Sequence, residues 1–154
     1  MRMPTKTAGK ILVAGGVLLG CFWFARSAPP SGLGVQAGRL GPCPDSPNCV
    51  GSQDADVAHA IAPLPFTGSI VEARARLKRV VATLPRTRLV TDEAGYLHYE
   101  SRSAVFRFVD DLEFVFDEKA QLIHVRSAAR TGYSDLGVNR RRVETIRAGF
   151  AANP

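Results

Sequence analysis

Over residues 106–116 the large apolar side chains keep a single parity. Phe106, Phe108, Leu112, Phe114 and Phe116 are even-numbered, whereas Glu113 and Asp117 are odd. Side chains two residues apart share one face of a strand, so the pattern demands a sheet with one buried face and excludes an all-helical fold. A continuous strand over 105–117 is expected. Before it, residues 88–91 and 96–102 are short runs rich in β-branched and aromatic side chains around the turn Asp92-Glu93-Ala94-Gly95, which is the signature of a hairpin. After it, a turn at 117–120 leads to a last strand over 122–127, making four antiparallel strands in sequence.

Helical spacing flanks this block. Ser69-Ile70-Val71-Glu72 is a capping box, and Ile70, Ala73, Leu77, Val80, Val81 and Leu84 form one stripe that Pro85 ends. Glu72 and Arg76 stand at i,i+4 spacing on its solvated face. A closing helix is expected from Val138 or Asn139 to Phe150, with Asn139 as cap, Val138 stapled onto Val143, and Val143, Ile146 and Phe150 facing the core. The hydrophobic content of 45% is enough to build such a core. The expected fold class is α+β: a two-layer sandwich with a four-stranded antiparallel sheet and two helices on the phenylalanine face.

The N-terminus has a different character. Arg2, Lys6 and Lys10 precede an apolar run from Ile11 to Ala25, followed by Arg26, and residues 1–28 read as a signal or anchor segment. As a helix the 15 residues of that run reach roughly 22 Å, short of the ~30 Å hydrocarbon core unless Lys10 and Arg26 snorkel outward. Leu18-Leu19-Gly20-Cys21 resembles a lipobox in which Cys21 takes the lipid, although Phe22-Trp23-Phe24 continue the apolar run. An uncleaved anchor, a lipoprotein and cleavage after Ala28 all stay open. In each, the positive charge before Ile11 keeps the extreme N-terminus cytoplasmic and sends the domain to the periplasm or exterior. Residues 29–41, mostly Pro, Gly, Ser and Ala, read as a flexible tether, and the domain occupies 42–151.

That address reorganises the other readings. A net charge of +6 would suggest nucleic acid in a cytosolic protein, but in the cell envelope no nucleic-acid partner is expected. The expected partners are the membrane, through the N-terminal segment, and an unknown envelope ligand or protein. With Cys21 in the membrane segment, Cys43 and Cys49 remain as a pair for a disulfide in an oxidising compartment. The alternative, a metal held by both thiols and His59, matches no standard zinc spacing; no metal and no cofactor are expected.

Two places invite chemistry. If the 105–117 strand is continuous, Asp110 shares the core parity and needs a partner such as Arg102, Arg126 or Arg130; otherwise Asp110-Asp111 marks a bulge or turn open to water. From Arg126 to Arg140 the chain leaves the last strand for the last helix. Arg126, Ser127, Arg130, Ser134, Asp135, Asn139 and Arg140 then gather on one edge, where arginines and a helix N-terminus suit a carboxylate or phosphate. The structural alternative has Ser134 and Asp135 turning the chain and the arginines pairing with Asp110, Asp111 or Glu113. His98 and His124 are expected as partly exposed strand residues near Glu100, and Tyr96 and Tyr99 as packing residues. No nucleophile elbow, H-E-x-x-H or phosphate loop is present, so catalytic residues are unknown. The leading reading is a noncatalytic envelope module for an anionic small molecule, lipid headgroup or partner protein. Its rival is a hydrolase or transferase using Asp110 or Asp111 with a histidine or serine.

Cys43-Pro44-Asp45-Ser46-Pro47-Asn48-Cys49-Val50, with Arg126-Ser127, Ser134-Asp135-Leu136-Gly137-Val138-Asn139 and Arg142, resembles the domain of unknown function 1499 (DUF1499) family from Pro42 to Phe150. Ala129 stands where many relatives are expected to carry serine. The resemblance implies no activity and no catalytic residues. It implies that the cysteine loop and the Arg126–Arg142 segment form one site or one scaffold feature, with Asp45 or Asn48 near Arg126 and Asn139.

Overall fold

The computed structural model describes residues 28–152, so the expected signal or anchor segment and Cys21 lie outside the described residues. Among the described residues no helix is long and apolar enough to cross a membrane. The chain runs through β1 (Val35–Gln36), β2 (Arg39–Leu40), β3 (Cys49–Gly51), β4 (Leu64–Pro65), α1 (Ile70–Ala82), β5 (Thr87–Glu93), β6 (Tyr96–Arg102), β7 (Val109–Asp117), β8 (Leu122–Ala129) and α2 (Val138–Ala151).

Ser69 starts α1 with the reciprocal bonds of a capping box: its hydroxyl oxygen accepts from the Glu72 amide, and the Glu72 side chain accepts from the Ser69 amide. Ala73, Leu77, Val80 and Val81 then face inward. Val143, Ile146 and Phe150 form the matching stripe of α2, and the two helices pack on one face of the sheet against Leu97, Leu112, Phe114, Phe116, Ile123 and Val125. Arg76 of α1 lies 3.7 Å over the Phe150 ring, a cation–π contact that also covers the helix pair.

The fold is α+β with two helices on a largely antiparallel sheet, but that sheet has six strands where four were expected. Its order is β3-β8-β7-β6-β5, and β4 also pairs with β8. The additions are three and two residues long, too short to show any periodicity. They lie in series along β8, Val50 opposite Ser127 and Leu64 opposite Ile123. They therefore cover an edge that would otherwise expose unpaired backbone.

Three expectations about β7 need correction. The strand begins at Val109, not 105, because residues 103–108 form a turn in which Arg107 takes a φ of 52°. Phe106 and Phe108 consequently leave the core and stand 64% and 44% exposed. The odd-numbered face is not solvated either: Asp111 and Glu113 are buried, as is His98 beside them. Charge can lie there because each acid meets a base across the strands, and because residues 33–41 lie over this face. Within that stretch, where a tether was expected, β1 and β2 form a small antiparallel ribbon, and the Gly34 amide donates to Glu113 Oε1 at 2.8 Å.

A disulfide joins Cys43 and Cys49, with their α-carbons 5.6 Å apart, and closes the loop that presents Asn48. Replacing both cysteines with alanine is expected to lower unfolding free energy in urea by about 2 kcal/mol, the chain-entropy value for so short a loop; unchanged stability in the oxidised wild type and the variant would contradict this.

Candidate functional site

The arginines expected to line an anion site are engaged inside the protein. Arg130, with 3% of its side chain exposed, donates to both oxygens of Asp111 and to Glu100. Arg126 reaches Glu113 at 3.1 Å and the Pro42 carbonyl. Arg140 pairs with no acid among the described residues; it donates to the carbonyls of Ala58 and Ala60 and so pins the 52–63 loop to α2. These contacts are charge-assisted and largely shielded from water, so few donors remain on that edge for an added anion.

The acids on this face form a connected set. His98 lies 2.7 Å from Asp111, and Tyr96 donates its hydroxyl to Glu113. Burial would raise the Asp111 pKa, but hydrogen bonds from Arg130 and His98 outweigh it, and the group ends below its ordinary value. Glu100 is also lowered, burial being outweighed by Arg130 and Arg88. The exposed Asp-Asp turn and the partly exposed His98 are thus both corrected. His124 is the histidine that stays partly exposed.

On the helix face a second network joins the two motifs. Asn139 is fully buried and lies inside α2, not at its cap, which is Gly137 at a φ of 76°. The capping work falls to Asp135, whose carboxylate accepts from the Gly137 and Asn139 amides. Ser134 Oγ accepts from the Leu136 amide. The Asn139 side chain accepts from Ser127 at 2.5 Å and donates to the Asn48 carbonyl at 3.1 Å. Arg142 donates to Asn139, to Ser127 and, at 2.6 Å, to Asp110. Asn48 also donates to the Gly132 carbonyl. The cysteine loop, β8, β7 and α2 are therefore tied at one junction, while Asp45 stays exposed on the loop surface. Burial raises the Asp110 pKa, the Arg142 guanidinium offsetting only part of that effect.

Beside this junction opens a groove of about 430 Å³ between the 103–108 turn and the 131–138 segment. Phe106, Phe108, Leu136 and Val138 supply its apolar walls, with Asp110, Ser134 and Asp135 among the polar groups lining it. The two phenyl rings stack at 5.6 Å, and Tyr133 and Leu136 stand 77% and 83% exposed nearby. Leaving a Phe or Leu in water forgoes about 1.5–3 kcal/mol of burial. Leu136 has a φ of 53°, a left-handed conformation that adds roughly 1–2 kcal/mol for a residue with a Cβ. Exposed apolar side chains on strained backbone are the pattern of a binding surface. The even parity of Phe106 and Phe108 concealed it by imitating a core strand. Among the described residues no three His, Cys, Asp or Glu side chains converge on a metal site.

Fold and groove together define a small α+β sandwich whose sheet carries helices on one face and an ion-paired layer on the other. The chain matches the family described as protein of unknown function (DUF1499) over residues 39–150 and belongs to it. No curated protein matches the chain.

The pKa directions fix a pH dependence. Asp111 and Glu100 are lowered on folding, so the stability they contribute is complete above the ordinary carboxylate range and lost as pH falls through their lowered values. Asp110, raised on folding, acts in the opposite sense. Asp111→Ala, which leaves Arg130 with Glu100 and deprives His98 of its carboxylate, is expected to cost about 3 kcal/mol at neutral pH and to flatten part of the acid limb of a urea stability profile. An acid limb identical to that of wild type would contradict the assignment.

Proposed function

We propose that this protein is a noncatalytic binding module of the cell envelope. In this reading the N-terminal segment holds it to the membrane and the folded domain faces the periplasm or exterior. The charge pattern around Ile11–Ala25 and the Cys43–Cys49 disulfide support that address. The ligand, or an apolar element of a partner, occupies the groove between the 103–108 turn and the 131–138 segment. The observation that carries this is the set of solvent-facing side chains Phe106, Phe108, Leu136 and Val138 around one concave space. Arg126, Arg130 and Arg140 act as scaffold, since their guanidinium groups already have internal acceptors.

One observation favours the rival hydrolase or transferase. Asp110 lines the groove, and burial raises its pKa, the direction a general acid requires. Its partner is nevertheless Arg142, and Ser103 and Ser134, the groove's serines, accept hydrogen bonds from the amides of Phe108 and Leu136. No histidine lines the groove, and its two carboxylates are engaged, Asp110 with Arg142 and Asp135 with the Gly137 and Asn139 amides, so neither is poised to activate a hydroxyl.

The test is mass spectrometry of small molecules and lipids that copurify with the full chain. Wild type is expected to carry an apolar species that the Phe106→Asp/Leu136→Asp variant loses while its circular dichroism is unchanged. Identical profiles from the two folded proteins would contradict the groove as the binding surface.

A further inference from the structure

A second cavity, of about 400 Å³, lies against the groove, and the two share Ser103 and Val138 as a common wall. Its character is opposite. Arg86, Arg102, Arg141 and Arg142 line it together with Thr87 and Thr145, and no aspartate or glutamate is among its lining residues. Four elements converge to build it: the end of α1, β5, the exit of β6 and the first turns of α2.

The charge state of these arginines differs from that of the scaffold set. Arg142 is neutralised by Asp110. Arg86 instead donates to the Arg102 carbonyl and Arg141 to the Leu136 carbonyl, so each is held in place by a backbone dipole, and among the described residues no carboxylate forms an ion pair with either. Arg102 sits 3.3 Å from Glu100, but that one carboxylate is shared with Arg88 and Arg130. The cavity therefore holds positive charge that the protein does not balance locally. Guanidinium groups positioned by their own hydrogen bonds, with further N–H donors unused, are suited to forked recognition of a phosphate or carboxylate.

Backbone strain falls at the same place. Arg86 and Leu136 have φ values of 55° and 53°, and each lines one of the two cavities. Among the described residues the other left-handed non-glycine positions, Ala37, Arg107 and Gln121, sit in turns between paired strands, where that conformation is ordinary.

Resting on the groove as the binding surface, we propose that the two cavities form one bipartite site for an anionic amphiphile. An alkyl or acyl chain lies along Phe106, Phe108 and Leu136, crosses Val138, and places a phosphate or carboxylate headgroup between Arg86 and Arg141. Each cavity lies within the ~300–1,000 Å³ range of pockets that hold small ligands. Such an amphiphile comes either from solution or from a bilayer, and both sources present the same chemistry.

The experiment uses the full chain in phosphatidylcholine nanodiscs with two photoreactive probes, a diazirine-bearing dodecyl phosphate and the matching uncharged dodecanol, mapped by peptide mass spectrometry. Both probes are expected to label peptides covering 103–108 and 131–138. In Arg86→Ala/Arg141→Ala, folded by circular dichroism, phosphate-probe labelling is expected to fall about tenfold with dodecanol labelling unchanged. Phe106→Ala/Phe108→Ala is expected to lose both. Equal labelling by both probes in the arginine variant and wild type would overturn the bipartite site and leave the groove standing. Absence of labelling at these peptides by either probe would overturn the groove as well. Inorganic phosphate competing as strongly as unlabelled dodecyl phosphate would overturn the apolar arm. Competition by phosphatidylglycerol in the nanodisc would sustain the proposal with a bilayer source, and labelling unaffected by it would sustain the proposal with a dissolved source.

Discussion

Asn139 has no exposed surface, and a buried amide without partners costs about 1–3 kcal/mol. That requirement organises the domain. Ser127 on β8, the Asn48 carbonyl in the disulfide-closed loop and Arg142 one turn along α2 all bond to it. Through Arg142 the junction extends to Asp110 on β7. The position of α2 on the sheet is thereby set by polar geometry as much as by Val143, Ile146 and Phe150. Since Leu136 and Val138 enter α2 directly from this junction, it also determines where one wall of the groove stands.

The sheet uses its two faces differently. One carries the apolar layer under the helices; the other carries Asp111, Glu113, His98 and Glu100 in contact with Arg130, Arg126 and Arg88. Buried ion pairs contribute modestly to stability but penalise any arrangement that leaves one partner alone. The arginines of β8 and its exit thus act on specificity of the fold. What stays open to the surroundings is an apolar cleft bordered by a different set, Arg86, Arg102 and Arg141, that comes from three separate parts of the chain.

Elements with strong local signals were legible from sequence. The Ser69 capping box starts α1 where it was expected, and the 96–102 strand has the expected bounds. What escaped depends on partners distant in sequence. Pairing of the arginines with Asp110, Asp111 or Glu113 was one of the readings, and Arg126 does meet Glu113, but nothing around Glu113 announces that Tyr96 and Gly34 will also enclose it. Strands as short as β3 and β4 have no period to read, and they exist because β8 offers them an edge. Phe106 and Phe108 misled for a physical reason: a turn with one left-handed residue preserves the alternation of large side chains while removing the strand beneath it. Asn139 was read as a cap because its residue type favours caps, whereas Asp135, four residues earlier, bonds its amide. At the site, Asn48, Ser127 and Asn139 were placed together by resemblance of motifs. The groove itself was hidden in what looked like core.

The claim on which the rest depends is that Arg142 belongs to the scaffold through Asp110. A double-mutant cycle of Asp110→Ala and Arg142→Ala, followed by urea unfolding at neutral pH, measures that link directly. A coupling energy of about 1–3 kcal/mol is expected, and single-variant losses that add within about 0.5 kcal/mol would rule the link out.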